Sequence, residues 1–233
     1  MEKLSRSLAD ALEYLRDLGY EDLSSRVAVS RESTGQATSN ASRAGAAERA
    51  GRLSEVALEA NGCTQCRLSK ARNSVVFGSG NPDADLMFIG EGPGAEEDRQ
   101  GLPFVGPAGE LLTKIIRAIE LDREDVYIAN VVKCRPPRNR DPEPDEAAAC
   151  RGFLENQVEL IQPKVIVALG RVAAQNLLDS SAPLGRLRGQ WHSFQGVPVR
   201  ATYHPAALLR NASWKRPTWE DMQTVRDRLR GWA

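Results

Sequence analysis

Four cysteines and two histidines are the residues whose types most narrow the chemistry open to this 233-residue chain. Cys63 and Cys66 form a CxxC pair, whereas Cys134 and Cys150 lie well downstream with 15 residues between them. Glu2, Asp10, Glu13 and Asp17 interrupt the leucines of the N-terminal stretch, unlike an export signal. A cytoplasmic location is therefore expected, where thiols stay reduced and structural disulfides are rare. Four such thiols suit a zinc ion or a four-thiolate iron–sulfur cluster. A zinc ribbon would show a second tight pair, which favours the cluster. Spacing alone leaves the metal open, and four unrelated buried cysteines are the bland alternative.

Three further segments carry chemistry-bearing residues. Gly90-Glu91-Gly92-Pro93-Gly94 is followed by Glu96, Glu97 and Asp98, then by Gly101-Leu102-Pro103-Phe104. Glycines at this density let the backbone approach a ligand and turn its amides towards it. The spacing matches neither a dinucleotide fingerprint nor a phosphate loop. Phe104, in a Gly/Pro loop, is poorly placed for a core and well placed to stack on a planar ligand. In the second segment Asn130 offers a donor and an acceptor suited to a nucleobase edge. Lys133, Arg135, Arg138 and Arg140 follow, among Pro136, Pro137 and Pro142, and are expected to contact phosphate. In the third, His204-Pro205 leads into Leu208-Leu209-Arg210, an expected apolar wedge beside a phosphate contact. His192 reads as supporting structure.

The elements that must position these residues follow from periodicity. Short apolar runs at 84–90, 125–132, 164–169 and 197–202 read as buried strands. Helical patterns occupy 109–120, 144–161, 171–178 and 218–232, the second opened by Pro144. The alternation predicts an α/β fold, a three-layer α/β/α sandwich around a mainly parallel four-stranded sheet. Ligands of such sheets bind at the carboxyl ends of the strands, which is where all three segments fall. Upstream, Leu4, Leu8, Leu12 and Leu15 predict an amphipathic helix over 3–18, and the Ser, Thr, Gly and Ala of 30–50 a flexible linker. The expected domains are thus 1–50 and 51–233. Lys+Arg and Asp+Glu both number 31, so any nucleic-acid surface must gather its positive charge locally. No apolar run approaches the roughly 18–20 residues of a membrane span.

Taken together, over about residues 55–233, these segments resemble family 4 of the uracil-DNA glycosylases, the iron–sulfur branch of that superfamily. The resemblance rests on the Gly90–Asp98 loop, on Gly101-Leu102-Pro103-Phe104-Val105-Gly106, and on Asn130 with Val131-Val132-Lys133-Cys134-Arg135-Pro136-Pro137. It rests also on His204–Arg210 and on the order of the four cysteines. It implies a [4Fe–4S] cluster on Cys63, Cys66, Cys134 and Cys150, structural in role. It implies that Phe104 stacks on a flipped uracil, that Asn130 pairs with its polar edge, and that His204 stabilises its O2. Glu91, Gly92 and Glu97 would line the pocket, with Glu91 or Glu97 placing the attacking water. Leu208 and Arg210 would contact the DNA. The implied protein is a monomeric, monofunctional glycosylase of base excision repair acting on single- or double-stranded uracil-DNA. A related branch that traps its DNA through a histidine-bearing loop is not matched, since Arg138-Asn139-Arg140 lacks histidine. A non-catalytic iron–sulfur DNA-binding module on the same scaffold is the competing reading.

Overall fold

The computed structural model describes residues 39–231. The helix expected over 3–18 lies outside them. The first helix, α1 (Ser39–Asn61), runs straight through the expected domain boundary at 50. Residues 39–50, expected as linker, are helical because Ala41, Ala44, Ala46, Ala47 and Ala50 supply the best helix former of all. Arg49 anchors this segment on Asp83 at 2.6 Å, and Leu53, one turn further on, is buried.

The sheet uses β1 (Ser79–Gly80), β2 (Leu86–Gly90), β3 (Tyr127–Asn130), β4 (Val165–Leu169), β5 (Trp191–Phe194) and β6 (Val197–Thr202). Their order across it is β1-β3-β2-β4-β6-β5. The four expected strands form the parallel centre, with Gly90 opposite Asn130, Ile89 opposite Ala168 and Leu169 opposite Thr202. Two antiparallel edge strands correct the expected count of four to six: β1 on β3 and β5 on β6. A two-residue strand and a Trp-His-Ser-Phe edge carry too little apolar periodicity to stand out in sequence.

Because side chains alternate across a strand, one face of the sheet takes Met87, Ile89, Ala129 and Ile166, and the other takes Leu86, Phe88, Ile128 and Val167. The first face packs against α1, α4 (Pro144–Ile161) and α5 (Gly170–Leu177), after the short α2 (Ala95–Gln100) and α3 (Pro107–Ala118). The second packs against α3 and, beyond the short α6 (Leu184–Leu187), against α7 (Pro205–Arg210) and α8 (Lys215–Leu229). The three-layer architecture is thus as expected. Pro144 at the first turn and a reciprocal Glu143–Glu146 capping box fix the start of α4. Among the described residues no helix is long and apolar enough to cross a membrane.

One buried carboxylate ties α8 to the sheet. Asp221 accepts from Arg188 Nε at 2.8 Å, Arg200 Nε at 3.1 Å and Thr202 Oγ1 at 2.8 Å. Removing it leaves two guanidiniums in low dielectric without their anion. Asp221→Ala should therefore lower the unfolding free energy by about 3–5 kcal/mol. Glu220→Ala, on the exposed side of the same helix, should change it by less than about 0.5 kcal/mol. Denaturant titration of both variants measures the contrast, and equal effects would contradict it.

Candidate active site

The carboxyl ends of β2, β3 and β6 open on a cavity of about 400 Å³. Its floor is set by the register pair Gly90–Asn130. A Cβ on Gly90 would lie 2.4 Å from Asn130 Oδ1 and 2.7 Å from Phe104 Cζ, so only glycine lets the three groups meet. Asn130 is 1% exposed, and its Nδ2 has no hydrogen-bond partner among the described residues. A buried donor left in that condition marks a place where a ligand acceptor belongs.

Phe104 forms a wall of the same cavity, its ring centroid 5.4 Å from that of His204. Its φ of 52° is left-handed, an unfavourable conformation for an aromatic residue that the surroundings must enforce. Glu97 does so: its Oε1 accepts from the backbone N–H of Val105 at 3.0 Å and of Gly106 at 3.1 Å. Gly109 adds a second constraint, since a Cβ there would sit 1.9 Å from Phe104 O. Phe104 is also more buried than a loop aromatic was expected to be, packing its other side on the core.

His204 caps α7 from β6, with Pro205 at the first helical position. Its Nδ1 accepts the Ala206 N–H at 3.2 Å, which places the ring proton on Nε2. Burial, reinforced by the Arg210 guanidinium and opposed by Glu97, holds its pKa down to about 4. The ring is thereby a neutral Nε2–H donor. Burial, reinforced by Asp141 and opposed by Arg171, pushes Glu91 up to about 7. Asp141 and Arg171 are themselves an ion pair. The two carboxylates are thereby told apart: Glu97 braces the Phe104 loop, while Glu91 is poised to exchange a proton near neutrality. Asp98 is a brace too, accepting from Asn73 N at 2.9 Å and Asn73 Nδ2 at 2.6 Å. Gly92 lines the cavity as expected, and Arg210, expected as a phosphate contact, lines it too.

Two sequence expectations need correction. Leu208 is 1% exposed and belongs to the core, whereas Leu209 is 55% exposed. Successive residues of a six-residue helix point some 100° apart, so only one of the pair can face solvent. The basic loop is also thinner than its sequence. Lys133 is 1% exposed, and Arg140 is engaged with both oxygens of buried Glu146 at 2.8 and 2.7 Å. Arg135 donates to Asn139 Oδ1 at 2.7 Å, leaving Arg138 and Arg210 exposed without an ion pair among the described residues. His192 is supporting structure as expected, its Nε2 2.8 Å from Leu187 O.

All four cysteines line a second, much tighter space of about 10 Å³. They are not gathered as a single-ion site: no group of three or more Cys, His, Asp or Glu is so arranged among the described residues. Cys134 and Cys150 are buried, Cys63 and Cys66 partly so, and no disulfide links them. Arg72 Nη1 donates to Cys134 Sγ and the Lys133 N–H to Cys150 Sγ, each at 3.3 Å. Such donors suit sulfur that carries negative charge, and the donor set fits a four-thiolate cluster.

The chain matches the family model of the Uracil DNA glycosylase superfamily over residues 77–223. It is 44% identical over 186 residues to a type-4 uracil-DNA glycosylase of Saccharolobus solfataricus, covering 76% of this chain and 86% of that protein. It is 49% identical over 170 residues to one of Thermotoga maritima, covering 70% and 88%. To a type-5 enzyme of Pyrobaculum aerophilum it is 31% identical over 163 residues, covering 63% and 71%.

The protonation state of His204 is directly measurable. Its ring should stay neutral from pH 8 down past the ordinary histidine midpoint of about 6.5 and titrate near 4. Nitrogen-15 spectra of the two histidine rings over that range report it. A midpoint at 6 or above would overturn the neutral donor.

Proposed function

The chain belongs to the uracil DNA glycosylase superfamily, on its type-4 branch, and from that membership we propose that it flips uracil out of DNA and hydrolyses its N-glycosidic bond, leaving an abasic site for base excision repair. The observation that carries the reading is Asn130, a buried carboxamide lining the cavity that Phe104 walls, its donor unpartnered among the described residues. Uracil presents O4 as acceptor and N3–H as donor, the complement of that amide. Cytosine reverses both, so the buried amide would be left unpaired, at about 1–3 kcal/mol for each group.

Extruding the base from the stack costs a few kcal/mol. Phosphate contacts from Arg138 and Arg210, with exposed Leu209 as the wedge, offset it. As the C1′–N1 bond breaks, positive charge grows on the sugar and negative charge on the uracil. The His204 Nε2–H is a preorganised donor for the charge developing at O2, and no side chain need attack. Ionised Glu91 orients water and steadies the sugar cation. A non-catalytic module would have no use for this pairing of a neutral donor with a carboxyl group that titrates near neutrality.

Cys63, Cys66, Cys134 and Cys150 would hold the [4Fe–4S] cluster that the type-4 resemblance implies. Such a group would supply a structural cross-link, with the 63–66 turn, the segment after β3 and helix α4 providing the thiolates that would hold it. The reading includes a cytoplasmic monomer acting on uracil in single- or double-stranded DNA.

A uracil-containing oligonucleotide treated with the purified protein and then alkali should be cleaved at uracil, and an intact strand would overturn the function. Since Glu91 is protonated below about 7 and ionised above it, kcat/KM should rise with pH through about 7. Glu91→Gln should lower the rate about 100-fold and abolish that limb. A limb that survives the substitution would show that another group carries it. A visible absorption band on the purified protein, lost on removing iron, checks the cluster, and a colourless protein containing zinc would overturn it.

A further inference from the structure

We propose that Lys133 is a positioning residue for uracil recognition, one that fixes the Asn130 carboxamide by holding the Asn130 main chain from behind the pocket. The inference rests on Asn130 as the group that reads the base. Lys133 is three residues beyond Asn130, and the chain turns so that its Nζ donates back to Asn130 O at 2.8 Å. The same Nζ donates to Gln157 Oε1 at 2.5 Å. Gln157 is in turn oriented by its Nε2, which donates to Phe77 O at 2.9 Å and to Tyr127 Oη at 3.3 Å.

Lys133 is buried with no carboxylate paired to it among the described residues. Taking an ammonium out of water costs several kcal/mol, and a methionine would fill the same space without that penalty. What lysine adds is a pair of directional donors on a long arm, one aimed at the peptide that carries Asn130. The Asn130 Nδ2 donates to no group among the described residues, so the direction of the side chain in the free enzyme is set by its backbone and by contact with Gly90. Fixing the 130–131 peptide is therefore the available way to aim the amide.

The main chain of Lys133 is anchored independently of its side chain. Its N–H donates to Cys150 Sγ at 3.3 Å, and its carbonyl accepts from Val76 N at 2.8 Å. The base of the arm is thus held by α4 and by the segment before β1, while its tip holds the strand end. A displacement of either support would be carried to Asn130.

The test uses the full-length, iron-containing protein and compares two backgrounds. Lys133→Met should lower kcat/KM for uracil excision about tenfold, the value of one hydrogen bond. It should weaken inhibition by free uracil by a similar factor, with iron content retained. In an Asn130→Ala background the same substitution should change excision less than twofold, because the residue it acts through is already gone. An equal loss in both backgrounds would assign Lys133 a general structural role and overturn the proposal, as would no loss in either. If Lys133→Met does not fold, Lys133→Gln keeps a donor but is too short to reach Asn130 O, and the same comparison decides. Should Asn130→Ala excise uracil as the native enzyme does, the reading of Asn130 fails, an outcome separate from failure of the Lys133 effect.

Discussion

At the carboxyl end of the sheet, Gly90 and Asn130 face each other across two parallel strands, and there is no room between them for a methyl group. This close approach sets the position of everything above it. It lets the Phe104 ring descend onto Gly90 and brings the carboxamide to the cavity floor. It also makes the strand pairing itself the ruler for the site, because parallel register is fixed by apolar residues buried on both faces. Slipping β3 by one residue would put Ala129 or Val131 where Asn130 stands and turn the amide into the core.

A floor this exact needs walls that cannot drift, and the walls are held by carboxylates rather than by helix ends. Glu97 gathers two amides of the loop that carries Phe104. Asp98 gathers the Asn73 segment, and Asp221 draws β6 onto α8 just before the chain reaches His204. Each is a carboxyl group surrounded by several donors, the arrangement in which a polar group can be taken out of water. The strained φ of Phe104 is affordable only because Glu97 and Gly109 over-determine it.

How much of this could be read from residues alone follows from what each feature depends on. The four central strands and helix α4 were visible because burial on two faces and a proline start are local signals. Glu91, Gly92, Glu97, Phe104, Asn130, His204 and Arg210 were legible as a set because strand ends converge in this architecture, and all seven line one cavity. Their separate roles were not legible. Glu97 and Glu91 look alike until Val105 and Gly106 present their amides to one of them. Lys133 counts as a loop cation until Gln157, 24 residues away, closes over it. Leu208 and Leu209 differ only in the direction each takes from a short helix. The helix over 39–50 is hidden for the opposite reason: a run of small residues looks flexible, whereas its alanine content makes it helical.

The charge pattern of the pocket follows from having to face a polyanion. With equal numbers of acidic and basic residues overall, attraction to DNA must come from a few exposed arginines, and most basic side chains of the 133–140 loop are already engaged. Against that modest attraction, a fully ionised pocket would be a liability, because an approaching phosphate is repelled by each carboxylate. Glu91 limits the repulsion by titrating near neutrality. His204 stays uncharged, so it offers a hydrogen bond without the desolvation penalty of a buried cation. Arg210, which depresses His204, is itself exposed beside the pocket, where a phosphate can neutralise it. Burial is the larger cause of the ring's neutrality and does not depend on that pairing, so His204 remains a neutral donor whether or not Arg210 is neutralised.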